Sequence, residues 1–185
     1  MRMLCFGDSN TYGYDPRDYF GGRYDADDRW VDILACQTGW ETVNLGLNGR
    51  EIPRASFFSL PKDLTTADIF LIMLGTNDLL QGKSAREVSL MMEVFLRQAI
   101  PYCTNILLIT PPPMKRGAWV PSDELVRESF DLGDEYKRLA EKLGILFADT
   151  RDWNVELVFD GVHFTQHGHH IFAKCLAEVI AKIHI

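Results

Sequence analysis

Cysteine pairs of the kind that bind metals or exchange disulfides are missing from this chain of 185 residues. Its four cysteines lie far apart inside apolar segments, and no CxxC pair occurs, so neither a zinc knuckle nor a thioredoxin-type redox motif is indicated. Free thiols that pack as small hydrophobic side chains are the favoured interpretation, and the even count leaves two disulfides as the alternative. The four are Cys5, Cys36, Cys103 and Cys175.

An excess of positive charge is also missing, since the formal net charge is -7 at pH 7. Without a basic surface to displace counterions from phosphates, a nucleic-acid partner is not expected. The same balance argues against docking on an anionic membrane. Hydrophobic residues make up 46% and charged residues 24% of the chain, a composition typical of a globular domain. The length suits one domain over residues 1–185 with one sizeable core.

Long apolar runs are absent from the sequence. The apolar segment at residues 3–6 is too short for a secretion signal and leads directly into Gly7, Asp8 and Ser9. No other segment is long and apolar enough to span a bilayer. We therefore expect a cytoplasmic protein without a membrane partner.

Apolar segments that fit buried strands alternate with segments that fit helices. The run 69–74 is continuous and apolar, as expected of a parallel strand covered on both faces. Ser84 and Glu87 have the spacing of a capping box at the start of a helix. This alternation predicts a five-stranded parallel sheet with helices on both faces. The predicted strands cover residues 2–6, 41–45, 69–74, 105–110 and 145–148, and the predicted helices cover about 29–38, 84–99, 121–143 with a break near Gly133, and 165–183.

Reactive side chains follow the predicted strands at the points where those strands end. Residues 8–10 follow the first strand, 48–49 the second, 75–78 the third and 160–163 the fifth. The carboxyl ends of parallel strands share one edge of the sheet, where ligands bind in folds of this class. A hydroxyl, a glycine amide, a carboxamide, a carboxylate and an imidazole are therefore expected to meet at one edge. These are the groups that acyl transfer requires.

The chemistry gives each of these groups a candidate role. Ser9 is the candidate nucleophile, and His163 is the candidate base because an imidazole can accept and return a proton near neutral pH. Asp160 precedes His163 by three residues, so a tight turn can bring its carboxylate to the ring nitrogen that faces away from Ser9. The candidate oxyanion donors are the backbone amides of Ser9 and Gly49 and the side-chain amide of Asn77. Taken singly, Ser9 could cap a helix, and Gly49 and Asn77 could be turn residues.

Four sequence blocks together resemble the SGNH branch of the GDSL esterase/lipase family, and they occur in the family's order across nearly the whole chain. The blocks are Gly7–Asn10, Asn44–Gly49, Gly75–Asp78 and Asp160–His163. The resemblance implies a flavodoxin-like, three-layer αβα fold, a serine esterase site, and no metal or cofactor. In the second block the oxyanion glycine is assigned to Gly49 rather than Gly46. Residues 5–9, 28–30, 72–78 and 160–165 look most like the arylesterase/acyltransferase-like group of the family.

The chain departs from the family's pattern at several positions, which concern the choice of substrate. Asn10 stands where leucine is frequent, Tyr12 where the arylesterase-like group can carry tryptophan, and Glu51 where threonine is frequent. Thr11 replaces the last glycine of a G-x-S-x-G elbow, which disfavours the α/β-hydrolase fold. The candidate substrate-pocket residues are Asp8, Asn10, Tyr12, Trp119 and Val162. Of these, Asp8 is expected to bond loop amides rather than to carry a proton.

Two further features have competing interpretations. Histidines at positions 163, 167, 169 and 170 form a local cluster, but His163 is already assigned and no acidic or cysteine ligand set completes a site, so zinc is disfavoured. The segment 12–30 is rich in tyrosine, aspartate and glycine. It is interpreted either as a lid over the substrate pocket or as a solvated loop that contacts another copy in a homo-oligomer.

The sequence therefore favours a carboxylic ester hydrolase that acts on small-molecule, short-chain acyl esters through an acyl-serine intermediate. Transfer of the acyl group to an alcohol is a variant of the same chemistry. The nearest alternative is a lysophospholipase or thioesterase of the same family. An alternative from another class is a non-catalytic flavodoxin-like domain whose turn at residues 7–10 binds an anion or nucleotide. That turn lacks the glycine and lysine pattern of a P-loop, which disfavours this alternative.

Overall fold

A five-stranded sheet forms the centre of the computed structural model, which describes residues 1–18, 20, 22–54 and 60–183. The strands are β1 (Arg2–Gly7), β2 (Glu41–Gly46), β3 (Ile69–Met73), β4 (Ile106–Ile109) and β5 (Leu146–Ala148). Their order in the sheet is β2-β1-β3-β4-β5, and all neighbouring strands are parallel. This is the order of the flavodoxin-like doubly wound fold, and it confirms the predicted architecture.

The longer helices begin and end close to the predicted positions. The helices are α1 (Ser9–Tyr12), α2 (Trp30–Thr38), α3 (Thr76–Leu80), α4 (Ala85–Ala99), α5 (Asp123–Leu143) and α6 (Gln166–Ile180). The predicted capping box is present at α4, where the side chains of Ser84 and Glu87 each accept a hydrogen bond from the other's backbone N–H. The sequence does not predict α1 and α3, because such short helices show no 3.6-residue period. No helix within the described ranges has the length and apolar character needed to cross a membrane.

Helix α5 runs without interruption through Gly133, so the predicted break is wrong. A Cβ atom at this buried glycine would lie 2.6 Å from Nε of Arg151. The Arg151 guanidinium also forms ion pairs with Asp134 on α5 and with Asp149 after β5. Gly133 therefore makes room for a side chain that ties α5 to the sheet, and its role is close packing rather than helix termination.

The two faces of the sheet are covered by different helices, which gives three layers. One face packs against α4 and α5, and the other packs against α2 and α6. Burying one leucine or phenylalanine side chain contributes about 1.5–3 kcal/mol, so this double core holds the central strands firmly. In β1 and β3 the residues facing α4 and α5 are Leu4, Phe6, Phe70 and Ile72, and those facing α2 and α6 are Met3, Cys5, Ile69 and Leu71.

The end of β1 lies between the ends of β2 and β3. Gly7 pairs with Gly46 of β2 on one side and with Met73 of β3 on the other. The loops after these three strands therefore emerge next to one another at the carboxyl edge of the sheet. In an open α/β sheet, the point where the strand order reverses is where ligands bind. The same edge carries most of the reactive residues that the sequence predicts.

Candidate active site

Ser9 lies in a sharp turn directly after β1. The carboxylate of Asp8 accepts a hydrogen bond from the Asn10 N–H at 3.0 Å and so caps the short helix α1 that begins with Ser9. This helix lies so close to β2 that a Cβ atom at Gly46 would be 2.1 Å from the Tyr12 nitrogen. Glycine is therefore required at position 46 for packing, and the assignment of Gly49 rather than Gly46 as the oxyanion residue stays a prediction.

Ser9, His163 and Asp160 form one row of hydrogen bonds. Oγ of Ser9 lies 3.0 Å from Nε2 of His163, and Nδ1 of His163 lies 2.7 Å from Oδ2 of Asp160. The three residues are buried, with Ser9 the most exposed at 6%. An ionised carboxylate can only accept hydrogen bonds, so Asp160 holds the ring proton on Nδ1 and leaves Nε2 free to accept the Ser9 proton. The arrangement can activate the hydroxyl as a nucleophile.

Asp160 also builds the turn that carries His163. Its Oδ1 accepts hydrogen bonds from the backbone N–H of Val162 at 2.8 Å and of His163 at 2.9 Å. Burial by itself raises the pKa of Asp160, but the hydrogen bonds from the His163 side chain and from these two amides outweigh burial and hold the pKa below its usual range. The carboxylate is therefore ionised at neutral pH and can stabilise a protonated His163.

The three predicted oxyanion donors lie in the segments that directly follow β1, β2 and β3. Ser9 begins α1, and its backbone N–H has no hydrogen-bond partner among the described residues. The N–H of Gly49 is also unpaired within those ranges, and Gly49 adopts a φ of 71° in an exposed turn. Asn77 donates one amide hydrogen to the Arg50 carbonyl at 3.1 Å, which leaves its second hydrogen for another acceptor. Donors fixed in advance are what a developing oxyanion requires.

The turn that carries Gly49 is held by contacts to the end of β1 and to α3. The Arg50 guanidinium donates to the Gly7 carbonyl at 2.8 Å. The buried carboxylate of Asp78 accepts a hydrogen bond from the Ile52 N–H at 3.0 Å. The sequence does not predict these contacts, because each joins residues that are far apart in the chain, and no local spacing indicates the partner of Arg50 or of Asp78. Together these two contacts fix the position of Gly49 relative to Ser9.

Two aromatic rings flank the imidazole of His163. The ring centroid of Tyr14 lies 4.8 Å from that of His163, and the centroid of Trp119 lies 5.0 Å from it, both in edge-to-face geometry. Trp119 is a predicted pocket residue, whereas the sequence does not single out Tyr14. Gly13, with a φ of 88°, ends α1 in the left-handed conformation and turns the chain back toward the site. Gly13 is therefore the sequence signal from which the place of Tyr14 beside His163 could have been predicted.

Three other predicted pocket residues, Val162, Asn10 and Tyr12, have side chains that contact other residues of the protein. Val162 belongs to the core between the sheet and helices α4 and α5. The Asn10 carboxamide bonds to the backbone of Val162 and Phe164. The Tyr12 ring lies 4.6 Å from the Arg23 guanidinium. Of this predicted set, the ring that is both exposed and next to His163 is that of Trp119, at 51% exposure.

A loop that pairs with the Asp160 turn holds Trp119 in place. The Lys115 N–H donates to the Gly161 carbonyl at 3.0 Å, and the Trp119 N–H donates to the Asp160 carbonyl at 3.0 Å. A Cβ atom at Gly117 would lie 2.4 Å from the Asp160 carbonyl carbon, so this close approach requires glycine. Trp119 is therefore fixed to the same turn that orients the imidazole.

Asp8 is buried next to Ser9 and accepts a hydrogen bond from the Asn10 N–H, in agreement with the expected role of bonding a loop amide. Burial raises the pKa of Asp8 from 3.8 to about 6, although the Asn10 N–H, His163 and Arg50 all favour the charged form. Because the folded pKa exceeds the unfolded value, the unfolded chain ionises first as the pH rises. Asp8 therefore lowers the stability of the fold progressively from about pH 4 to about pH 6, and the loss persists at neutral pH.

Asp8→Asn is expected to remove this penalty while keeping an oxygen for the Asn10 N–H. Relative to the wild type, the free energy of unfolding of the variant should increase by roughly 2–3 kcal/mol between about pH 4 and about pH 7. Urea unfolding at both pH values measures this difference. Asp27→Asn, which removes a charge from the exposed surface, is the matched control. A stability difference for Asp8→Asn that is the same at both pH values would contradict the account.

The segment 12–30 is anchored to the loop that carries the imidazole. Tyr24 is buried, and its hydroxyl donates to the Phe164 carbonyl at 3.2 Å. Tyr19 and Gly21 lie outside the described residues. The described part of the segment is therefore attached to the site, and its action as a lid or as an oligomer contact stays a prediction.

Two of the histidines after His163, at positions 169 and 170, have partners of their own. His169 is buried and accepts a hydrogen bond from the Trp30 N–H at 3.4 Å, and burial lowers its pKa to about 3. Nε2 of His170 lies 3.0 Å from Asp28. In the part of the chain that the structure describes, no group of three or more His, Cys, Asp or Glu side chains is arranged to hold a metal ion.

A comparison with family models matches residues 5–171 to the GDSL-like Lipase/Acylhydrolase family. This range contains Ser9, Gly49, Asn77 and the turn from Asp160 to His163. None of the curated proteins compared with the chain matches it.

Solved structures of esterases superpose on nearly the whole chain. The aryl esterase of M. smegmatis is 26% identical with a TM-score of 0.83, and 99% of each chain is covered. A carbohydrate acetylesterase family member from Sinorhizobium meliloti is 25% identical with a TM-score of 0.79, covering 97% of this chain and 96% of its own. An acetylxylan esterase from Geobacillus stearothermophilus, at 22% identity, a TM-score of 0.70 and coverage of 97% and 93%, shares the fold.

Proposed function

Because the chain belongs to the GDSL-like lipase/acylhydrolase family, we propose that it is a carboxylic ester hydrolase that cleaves small, short-chain acyl esters through an acyl-serine intermediate. The observation that carries the proposal is the buried row of Ser9, His163 and Asp160, joined by contacts of 3.0 and 2.7 Å. The unpaired amides of Ser9 and Gly49 support it, because acyl transfer needs donors next to the nucleophile.

In the first half of the reaction, Oγ of Ser9 attacks the ester carbonyl carbon while Nε2 of His163 takes the hydroxyl proton. The negative charge that develops on the carbonyl oxygen is stabilised by the amides of Ser9, Gly49 and Asn77. The ionised Asp160 stabilises the imidazolium. The bond from the carbonyl carbon to the alcohol oxygen then breaks, and His163 returns the proton to the leaving alcohol.

In the second half, a water molecule attacks the acyl group on Ser9, with His163 again as the base. Collapse of the second tetrahedral intermediate releases the carboxylic acid and restores the Ser9 hydroxyl. An alcohol in place of water would complete an acyl transfer by the same steps. The balance between hydrolysis and transfer therefore depends on which nucleophile reaches the acyl-serine.

In this proposal, the rings of Tyr14 and Trp119 contact the alcohol portion of the bound ester. His163 must lie next to the leaving oxygen to protonate it, and both rings contact the imidazole. Aromatic rings pack well against an aryl group or the apolar face of a sugar. The names of two of the relatives, an aryl esterase and a carbohydrate acetylesterase family member, agree with such alcohols.

The proposal is tested by hydrolysis of p-nitrophenyl acetate, butyrate and octanoate. The wild type is expected to hydrolyse the acetate well above the rate in buffer. Each increase in chain length should lower kcat/KM, with acetate preferred over octanoate by roughly 10-fold or more, the scale on which pockets discriminate methylene groups.

Two results would contradict the proposal in different ways. A folded wild type that hydrolyses none of the three esters above the buffer rate would refute the hydrolase function. A clear preference for octanoate would refute the short-chain claim alone, and would favour a lysophospholipase or thioesterase.

A further inference from the structure

We propose that Asn10 is a positioning residue that fixes the imidazole of His163 relative to the hydroxyl of Ser9. The inference rests on the proposed function and concerns how its base is held. The carboxamide of Asn10 donates from Nδ2 to the Val162 carbonyl at 3.1 Å and accepts at Oδ1 from the Phe164 N–H at 3.0 Å. These two residues are the immediate neighbours of His163, so one planar group clasps the backbone on both sides of the base.

The contact matters because Ser9 and His163 are far apart in the sequence. The Asp160 carboxylate orients His163 within its own turn, but that turn could shift as a unit without breaking its internal hydrogen bonds. Asn10 follows Ser9 directly on α1, so its two bonds connect the turn of the base to the turn of the nucleophile. The distance of 3.0 Å between Oγ of Ser9 and Nε2 of His163 therefore depends on Asn10.

Asn10 is itself held from several directions. Its backbone N–H donates to the Asp8 carboxylate at 3.0 Å, and its carbonyl accepts from Nε1 of Trp30 at 2.9 Å. The residue is 4% exposed. Backbone and side chain are thus both fixed, and a rigid group is what a precise distance between two loops requires. Leucine has a similar size but neither polar group, so it can fill the same space without making either bond.

Asn10→Leu is the first test, since it removes both bonds at nearly constant volume. We expect kcat for p-nitrophenyl acetate to fall by about 10²-fold, the cost of misplacing a reacting group by roughly 1 Å. KM should change little, because Asn10 is not expected to touch the substrate. Acylation and deacylation both use His163, so kcat falls whichever step is slower.

Thr11→Val is the matched control. Thr11 is the next residue on α1, and its buried hydroxyl has no hydrogen-bond partner among the described residues, so the change keeps the shape and breaks no bond. It should retain the wild-type kcat. Asn10→Asp is the second variant and serves where the leucine variant does not fold. It keeps the acceptor for the Phe164 N–H but loses the donor to the Val162 carbonyl, and its kcat should also fall with KM little changed.

A double-mutant cycle separates positioning from a general effect on the fold. In a His163→Ala background, Asn10→Leu is expected to lower the residual rate by less than about 3-fold, because the base it positions is already absent. The inference is overturned if Asn10→Leu or Asn10→Asp keeps the wild-type kcat, or if the fall in kcat is the same with and without His163. Hydrolysis by the wild type tests the proposed function, whereas the ratio of variant to wild type tests Asn10 alone.

Discussion

Replacing His163 with alanine is expected to lower kcat/KM for ester hydrolysis by about 10⁵- to 10⁶-fold, the scale for loss of the base in a serine triad. The Ser9 hydroxyl donates to Nε2 of His163 at 3.0 Å, and no other imidazole contacts Ser9 among the described residues. Without that acceptor the hydroxyl stays protonated and is a poor nucleophile. The leaving alcohol also loses its proton donor. Steady-state hydrolysis of p-nitrophenyl acetate, corrected for the rate in buffer, measures the change.

His170→Ala is the matched control for this variant. His170 lies on the same stretch of chain, is exposed, and pairs with Asp28. It should keep the wild-type kcat/KM. A His163→Ala variant that is folded and retains more than about 1% of the wild-type rate would show that another group takes the proton, and the assignment of the base would be wrong.

Asp160→Asn is expected to lower kcat by about 10⁴-fold while leaving the fold nearly as stable, because it imposes the wrong imidazole tautomer. Two backbone amides, those of Val162 and His163, donate to Oδ1 of Asp160 at 2.8 and 2.9 Å. In the variant these two N–H groups still need an acceptor, so the side-chain oxygen of the new amide stays next to them. The side-chain NH₂ group then faces Nδ1 of His163. Nδ1 must then accept, its proton lies on Nε2, and Nε2 cannot take the Ser9 proton.

Kinetics and thermal unfolding together distinguish the tautomer effect from a collapse of the turn. Asp149→Asn provides the comparison, since Asp149 also accepts from a backbone amide in the loop after β5, that of Arg151 at 3.1 Å, but its side chain pairs with the Arg151 guanidinium instead of a histidine. The Asp149→Asn variant should keep the wild-type kcat. If Asp160→Asn keeps a kcat within about 10-fold of the wild type, the carboxylate does not set the tautomer as described.

Much of the fold follows from local pattern. The run 69–74 is apolar throughout because β3 is covered by helices on both faces, and the spacing of Ser84 and Glu87 marks the start of α4 because a capping box is a local structure. The order of chemical groups after the strands also follows, since parallel strands place their ends at one edge. Ser9, Asp160 and His163 could be predicted to meet for this reason.

The rest depends on contacts between segments that are distant in the sequence. Tyr14 reaches His163 because of one left-handed glycine, and Asn10 bonds to Val162 and Phe164 because α1 lies next to the turn that carries His163. No periodicity or motif encodes these distances. Gly133 is a further position whose role could not be predicted from local sequence. A glycine that packs against an arginine and a glycine that ends a helix look identical in sequence.

The most direct test of the central claim, that Ser9 is the nucleophile, is to treat the protein with a p-nitrophenyl phosphonate ester and to map the adduct by peptide mass spectrometry. A phosphonyl group transfers to an activated serine and remains there. We expect one equivalent of p-nitrophenol per chain, a single adduct on Ser9, and loss of ester hydrolysis in proportion to labelling. An adduct on any other residue, or a wild type that keeps hydrolysing esters after Ser9 is fully labelled, would contradict it.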